Sequence, residues 1–132
     1  MKIILETNYI KSTLFEDQKY ICNDWTGGEF GEKEFKYSML EIANIALNHT
    51  VKGILVDARR FSFVISVEVQ EWYDANVVPK HLAAGIKKMA FLLPTEIIAQ
   101  IAIELTMDEK QAKMQTTRYF DTYQKAEKWL ME

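Results

Sequence analysis

Several residue types that would announce a chemistry are scarce in this chain. Cys22 is the only cysteine, so no intramolecular disulfide can form, and such usage fits a reducing compartment. The two histidines, His49 and His81, lie far apart without a second soft ligand nearby, which leaves no metal-binding spacing; both are expected as surface residues at helix ends. With two prolines and five glycines there is no Pro/Gly/Ser-rich linker to divide the chain, and no internal repeat is visible. No apolar run approaches the ~20 residues that span a bilayer. The opening "MKIILETNYIK" meets Glu6 and Asn8 too early for the apolar core of a signal peptide. Basic residues are not in excess either: 16 Lys and Arg face 19 Asp and Glu, a net charge of -3, without the basic face that phosphate neutralisation requires. Together these absences argue against nucleic acid, membrane insertion, metal and disulfide chemistry, and a cytoplasmic location is expected.

What the chain does hold is core material. Hydrophobic residues make up 48% of its 132 positions, with three Trp, seven Phe and six Tyr, enough for one packed domain over residues 1–132 and too little length for two. Three strand-like runs come first: Lys2 to Tyr9, Ser12 to Glu16, and Lys19 to Trp25. In the third, Tyr20, Cys22 and Asp24 share one face and Ile21, Asn23 and Trp25 the other. Neither face is purely apolar, so these strands are expected toward an edge or in an N-terminal hairpin. After "TGGEFG" the period becomes helical from about Glu32 to Asn48, through Phe35, Met39, Ile42, Ala43 and Ala46.

"GILVDA" then reads as a strand buried on both faces. A second helix is expected from Ser66, as its cap, with Val69, Trp72, Tyr73 and Asn76 on one side; Pro79 should break it and Gly85 suits a left-handed helix end. "KKMAFLLP" is the next buried strand, and Thr95 a candidate cap for a third helix bearing Ile97, Ile98, Ile101, Ala102 and Leu105. The short strand "TRYF" precedes Asp121, which with Gln124 resembles a capping box for a last helix carrying Ala126, Trp129 and Leu130. Alternation of this kind predicts an α/β fold with a mixed, mostly parallel central sheet and about four helices.

Chemistry-bearing candidates are few. "TGGEFG", between a strand and a helix, lacks the first glycine of a dinucleotide fingerprint, and Glu29, Glu32 and Glu34 oppose a phosphate there, so nucleotide binding is the least favoured reading. No G-x-S-x-G elbow occurs, and Cys22 in mid-strand suits a small buried thiol. Trp72, Tyr73 and Trp129 sit at core spacing. The charged exit of the buried strand remains: Asp57, Arg59 and Arg60. Either an arginine receives an anion with Asp57 orienting it, or the three form a strand-end ion pair that anchors the loop, which is favoured because structural pairs occur at such positions without a catalytic task.

The series "WTG" at Trp25, "LVDAR" at Leu55 to Arg59, "QEW" at Gln70, Pro79, "GIKKMA" at Gly85, "RYFD" at Arg118 and "A-x-x-W-L" at Ala126 to Leu130 resembles the SpoIIAA-like, or STAS-like, group of small bacterial proteins. The resemblance covers nearly the whole chain and rests on order and spacing, since each motif is short. It implies a β-α superhelical fold shared with anti-sigma-factor antagonists and, more remotely, with CRAL-TRIO lipid carriers. In the antagonists a phosphoacceptor serine starts the helix after this strand, and Ser66 takes that place here. Ile65 stands where the family has an acid, the following glycine is absent and Glu68 is close by, so capping is favoured over phosphorylation at Ser66. The expectation is a non-enzymatic, STAS-like regulatory module without cofactor, acting through a protein partner or self-association as a possible homodimer. A carrier or sensor of a small apolar or lipid-like ligand is the alternative, and the candidate ligand or switch region is Asp57, Arg59, Arg60 and Ser66.

Overall fold

The computed structural model describes residues 1–98 and 116–132. Its first three strands, β1 (Lys2–Glu6), β2 (Ile10–Phe15) and β3 (Tyr20–Trp25), form an antiparallel meander. There follow α1 (Glu32–Ala46), β4 (Gly53–Asp57), α2 (Val67–Asn76), α3 (Val78–Ala84), β5 (Lys88–Leu92), β6 (Thr116–Phe120) and α4 (Tyr123–Met131). From β3 onward the strands are parallel, and the six-stranded sheet has the order β1-β2-β3-β4-β5-β6. The α/β class with a mixed sheet is thus as expected from the alternation. The first three strands form the expected hairpin pairing, with β1 at the edge; β3 itself lies between β2 and β4, and its polar Asn23 is accommodated inside because Ser12 of β2 donates a 2.8 Å hydrogen bond to its Oδ1.

Every residue of β4 is buried, as a continuous aliphatic run in a central parallel strand must be. Side-chain alternation splits the interior into two layers. Ile21, Ile54, Val56 and Met89 face α1, α2 and α3, while Tyr20, Leu55 and Ala90 face Ala126 and Trp129 of α4.

The helix termini follow their side chains. Glu34 bends back to the amide of Gly31 at 2.8 Å and closes the start of α1, and Ser66 Oγ accepts from the Val69 amide at 3.2 Å to cap α2. Gly85 ends α3 at φ 94, the left-handed conformation that favours glycine. α2 ends at Asn76, ahead of Pro79, as expected; Pro79 itself sits in the first turn of α3, where a missing N–H costs nothing, so the chain re-enters a helix one residue after α2. One expected boundary moves. The cap of α4 is Thr122, whose Oγ1 accepts from the Lys125 amide, while Asp121 instead pairs with Lys125 Nζ at 3.1 Å. Residues 95–98 are helical; Ile101, Ala102 and Leu105 lie outside the described residues.

Gly28 has a clear steric reason to be glycine: a Cβ there would stand 2.0 Å from the Asn8 carbonyl oxygen. We expect Gly28→Ala to lower stability by about 1–3 kcal/mol, since backbone on both sides must move. Gly31→Ala, whose added carbon meets only the Glu34 carboxylate at 3.3 Å, should cost less than about 1 kcal/mol. Urea denaturation of both variants checks the ranking.

Candidate functional site

The charged residues at the exit of β4 form a closed electrostatic unit. Arg59 grips Asp57 with two side-chain bonds, Nε to Oδ1 at 2.9 Å and Nη2 to Oδ2 at 2.8 Å, and its backbone amide adds a third at 3.3 Å. Burial alone would raise the Asp57 carboxyl, but the Arg59 bonds, then the charges of Arg59 and Arg60, hold it below its ordinary 3.8. Arg60 turns to Asp24 at the end of β3, at 3.2 Å. These ion pairs tie the loop after β4 to the ends of β3 and β4, and Asp24 and Asp57 share the sheet face on which α4 packs. Ser66, the fourth candidate, lies beyond the loop with its hydroxyl engaged as the α2 cap.

Below them on the α4 face, the Tyr20 hydroxyl donates to Glu127 Oε2 at 2.5 Å and lies 2.7 Å from the Tyr123 hydroxyl. Its single proton being given to Glu127, Tyr20 accepts from Tyr123. Burial, followed by the nearby Asp24, Asp57 and Glu127 charges, pushes the Cys22 thiol up to about 12, far from the thiolate a nucleophile needs.

A more enclosed concavity is on the other face. A cavity of about 220 Å³ lies between the sheet and the helical layer. Its floor includes one register row across three strands, Asn23, Val56 and Phe91, with Met89 in the next row. Its walls come from Phe35, Met39 and Ile42 of α1, Gln70 and Tyr73 of α2, and His81 of α3. Trp25, Ala58, Phe61 and Ile65 complete it at the ends of the strands. Local chain chemistry explains why this space stays unfilled. α2 is short and buries only Val69 fully, and the loop after β4 turns its aromatic rings onto those of β3, α1 and the segment between them. Phe61 meets Trp25 edge-on at 4.9 Å and Phe63 stacks on Phe35 at 5.4 Å, forming a rim held by aromatic contacts.

Besides Gln70, whose Nε2 donates to Asp74 Oδ1 at 2.9 Å, three polar groups stand in this wall where sequence reasoning had not placed a site. Asn23 is 5% exposed, with its oxygen bound by Ser12 and no protein partner for its Nδ2 among the described residues. Tyr73 is half-buried, and burial followed by the Asp74 charge raises its phenol, so it stays neutral. His81 is 3% exposed rather than on the surface, lying one turn after the fully buried Val77 and against Tyr73 at 6.1 Å between ring centroids. Its Nδ1 is buried without a partner among the described residues, and burial lowers its pKa to about 4, so the imidazole is neutral at pH 7. His49 is exposed, as expected. The sequence signal for Asn23 was its place on one face with Ile21 and Trp25; His81 carried none stronger than its helical spacing. Trp72 is half-buried, with Lys36 Nζ 5.3 Å from its ring centroid, and Trp129 is buried as core spacing implied.

No group of three or more His, Cys, Asp or Glu among the described residues could hold a metal ion. No helix among them is long and apolar enough to cross a membrane. At the start of α1 the "TGGEFG" segment opens a shallower depression edged by Glu29 and Glu34, and Glu34 already occupies the Gly31 amide. The fold and site therefore define an α/β protein with a self-neutralised charged cluster on one sheet face and an apolar cavity on the other. Compared with protein-family models, with curated proteins and with solved structures, the chain gives no match.

His81 makes stability depend on pH in a defined window. The unfolded chain takes up a proton near pH 6.5 and the folded chain only near 4, so stability falls as pH drops through that interval, by about 3 kcal/mol in total. Asp57 acts below it, its contribution being lost only as pH falls through a folded pKa under 3.8. Denaturation midpoints between pH 7 and 4 should decline for the parent and stay nearly level for His81→Leu; parallel curves would contradict a neutral buried imidazole.

Proposed function

We propose that this protein is a non-enzymatic binding module that encloses a small, predominantly apolar molecule between its sheet and α1–α3. The observation that carries the reading is the cavity of about 220 Å³ lined by Trp25, Phe35, Met39, Phe61, Met89 and Phe91. A dry, Leu- and Phe-lined space of about 150 Å³ is enough to hold benzene. By that scale this one takes about nine heavy atoms, too few for a two-chain lipid or a dinucleotide. A non-catalytic role is supported by the state of the reactive groups: Asp57 is neutralised by Arg59, and Cys22 is held as a thiol. Saturable amide shifts around the cavity on titration with α-methylstyrene, a nine-heavy-atom hydrocarbon, are expected by NMR. They should weaken about tenfold or more in Val56→Phe, which fills the floor. Absence of saturation in the parent would remove the reading.

A second reading has its own observation. Val64, Ile65 and Val67, flanking Ser66, are 85%, 42% and 71% exposed, an apolar group at the place where the STAS-like resemblance puts the switch. In this reading the chain is a cytoplasmic, SpoIIAA-like regulatory module that binds a protein or a second copy of itself through that segment. Sedimentation velocity at rising concentration should show a parent that dimerises and a Val64→Ser/Val67→Ser variant that does not, with stabilities within about 0.5 kcal/mol of each other. A parent that stays monomeric throughout excludes self-association at this surface.

A further inference from the structure

The cavity wall carries a polar group that the fold leaves with unused bonding capacity. Asn23 is 5% exposed and stands in the floor row beside Val56. An amide offers an acceptor oxygen and two N–H donors. Ser12, its direct partner across β2 and β3, occupies the oxygen at 2.8 Å, so what Asn23 retains is donor capacity, and no protein acceptor meets it among the described residues. Among the described residues the fully buried side-chain polar atom without a partner is His81 Nδ1, so Asn23 Nδ2 keeps some accessible surface, and a donor on a largely buried residue that meets no acceptor is poorly compensated. None of the described residues lining the cavity is Asp, Glu, Lys or Arg, and the wall therefore offers no countercharge to an ion.

Resting on the reading of the cavity as a binding site, we propose that Asn23 is its polar anchor. The natural ligand is then a neutral molecule of about nine heavy atoms, with an aromatic or branched apolar body and one acceptor oxygen of the carbonyl type that takes a hydrogen bond from Asn23 Nδ2. The apolar body packs among Phe35, Met39, Met89 and Phe91. The specificity comes from the donor: a hydrocarbon of the same shape leaves it unpaired, whereas a carboxylate must shed its hydration in a wall without cations.

Three probes of equal size separate these demands on the full chain: acetophenone, its hydrocarbon isostere α-methylstyrene, and benzoate. Titrations followed by NMR should rank acetophenone about tenfold tighter than α-methylstyrene, with no saturation by benzoate. The Ser12→Ala/Asn23→Leu variant removes both partners of the internal bond, orphans neither of them, and should bind the first two within about twofold of each other. Equal affinities in the parent, a preference that persists in the double variant, or benzoate binding as tightly as acetophenone would each overturn the anchor while leaving the cavity reading in place. Failure of all three probes to saturate the parent overturns both. The parent comparison alone decides the ranking, whatever the variant's stability.

Discussion

The rest of this structure depends on the direction in which its parallel strands advance. β3, β4, β5 and β6 are laid down side by side in sequence order, with no return to the other side of β3. A crossover between parallel strands is right-handed in nearly all proteins, so successive crossovers that advance one way stack their helices on one face. α1, α2 and α3 accordingly pack over Ile21, Ile54, Val56 and Met89, and the other face is left for α4, which arrives after the last strand. The antiparallel β1–β2–β3 meander extends the sheet beyond the crossovers and supplies Tyr9, Ile10 and Leu14 to the same core.

That constraint also decides where a ligand can go. In open α/β sheets the usual crevice forms where strand order reverses, because neighbouring helices then leave on opposite faces and separate. No reversal occurs among these strands, so charged residues at the carboxyl ends of β3 and β4 are not at such a crevice. They close on themselves instead, Asp57 with Arg59 and Asp24 with Arg60, and fix the loop that carries Phe61 and Phe63. The open space arises one layer away, where a short α2 covers the sheet incompletely and aromatic side chains brace the gap. Ion pairs on one face thus hold in place the rim of a cavity on the other.

Much of the fold was readable because each signal was local. The aliphatic run of Gly53 to Asp57 and the helical period through Phe35, Met39 and Ile42 are properties of adjacent residues. So are the Ser66 cap and the left-handed Gly85. Pro79 marked the end of α2, since a proline cannot continue a helix interior, but that it then sits harmlessly in the first turn of a further helix shows only in the three-dimensional break after Asn76. Asp121 and Thr122 are both competent caps, and a one-residue choice between them is set by where α4 docks. The pairing of Asp57 with Arg59 was anticipated as one of two alternatives, the close spacing making it accessible. The apolar-ligand alternative implied a cavity, but not where it lies or which residues line it. It consists of unfilled volume among Phe35, Met39, Met89 and Phe91, which look in sequence like any other core residues, and the burial of His81 depends on the same layer.

Ile65 connects the two proposed roles physically. It lines the cavity and is also 42% exposed, between the freely exposed Val64 and the cap Ser66 that starts α2. A side chain shared by an internal wall and an external surface would report the contents of one to the other if a ligand displaced it, since the segment to which it belongs would then have to move. Upstream, that segment is anchored by the stacking of Phe63 on Phe35; downstream, by the Val69 amide on Ser66. Displacement is therefore confined to the few residues between them. The exposed valines lie within or beside that interval, so occupancy of the cavity has a short mechanical route to the shape of the surface. Ligand binding and partner binding then need not be rival functions of this chain: if both hold, they are coupled through Ile65, and by linkage each must alter the affinity of the other by the same factor.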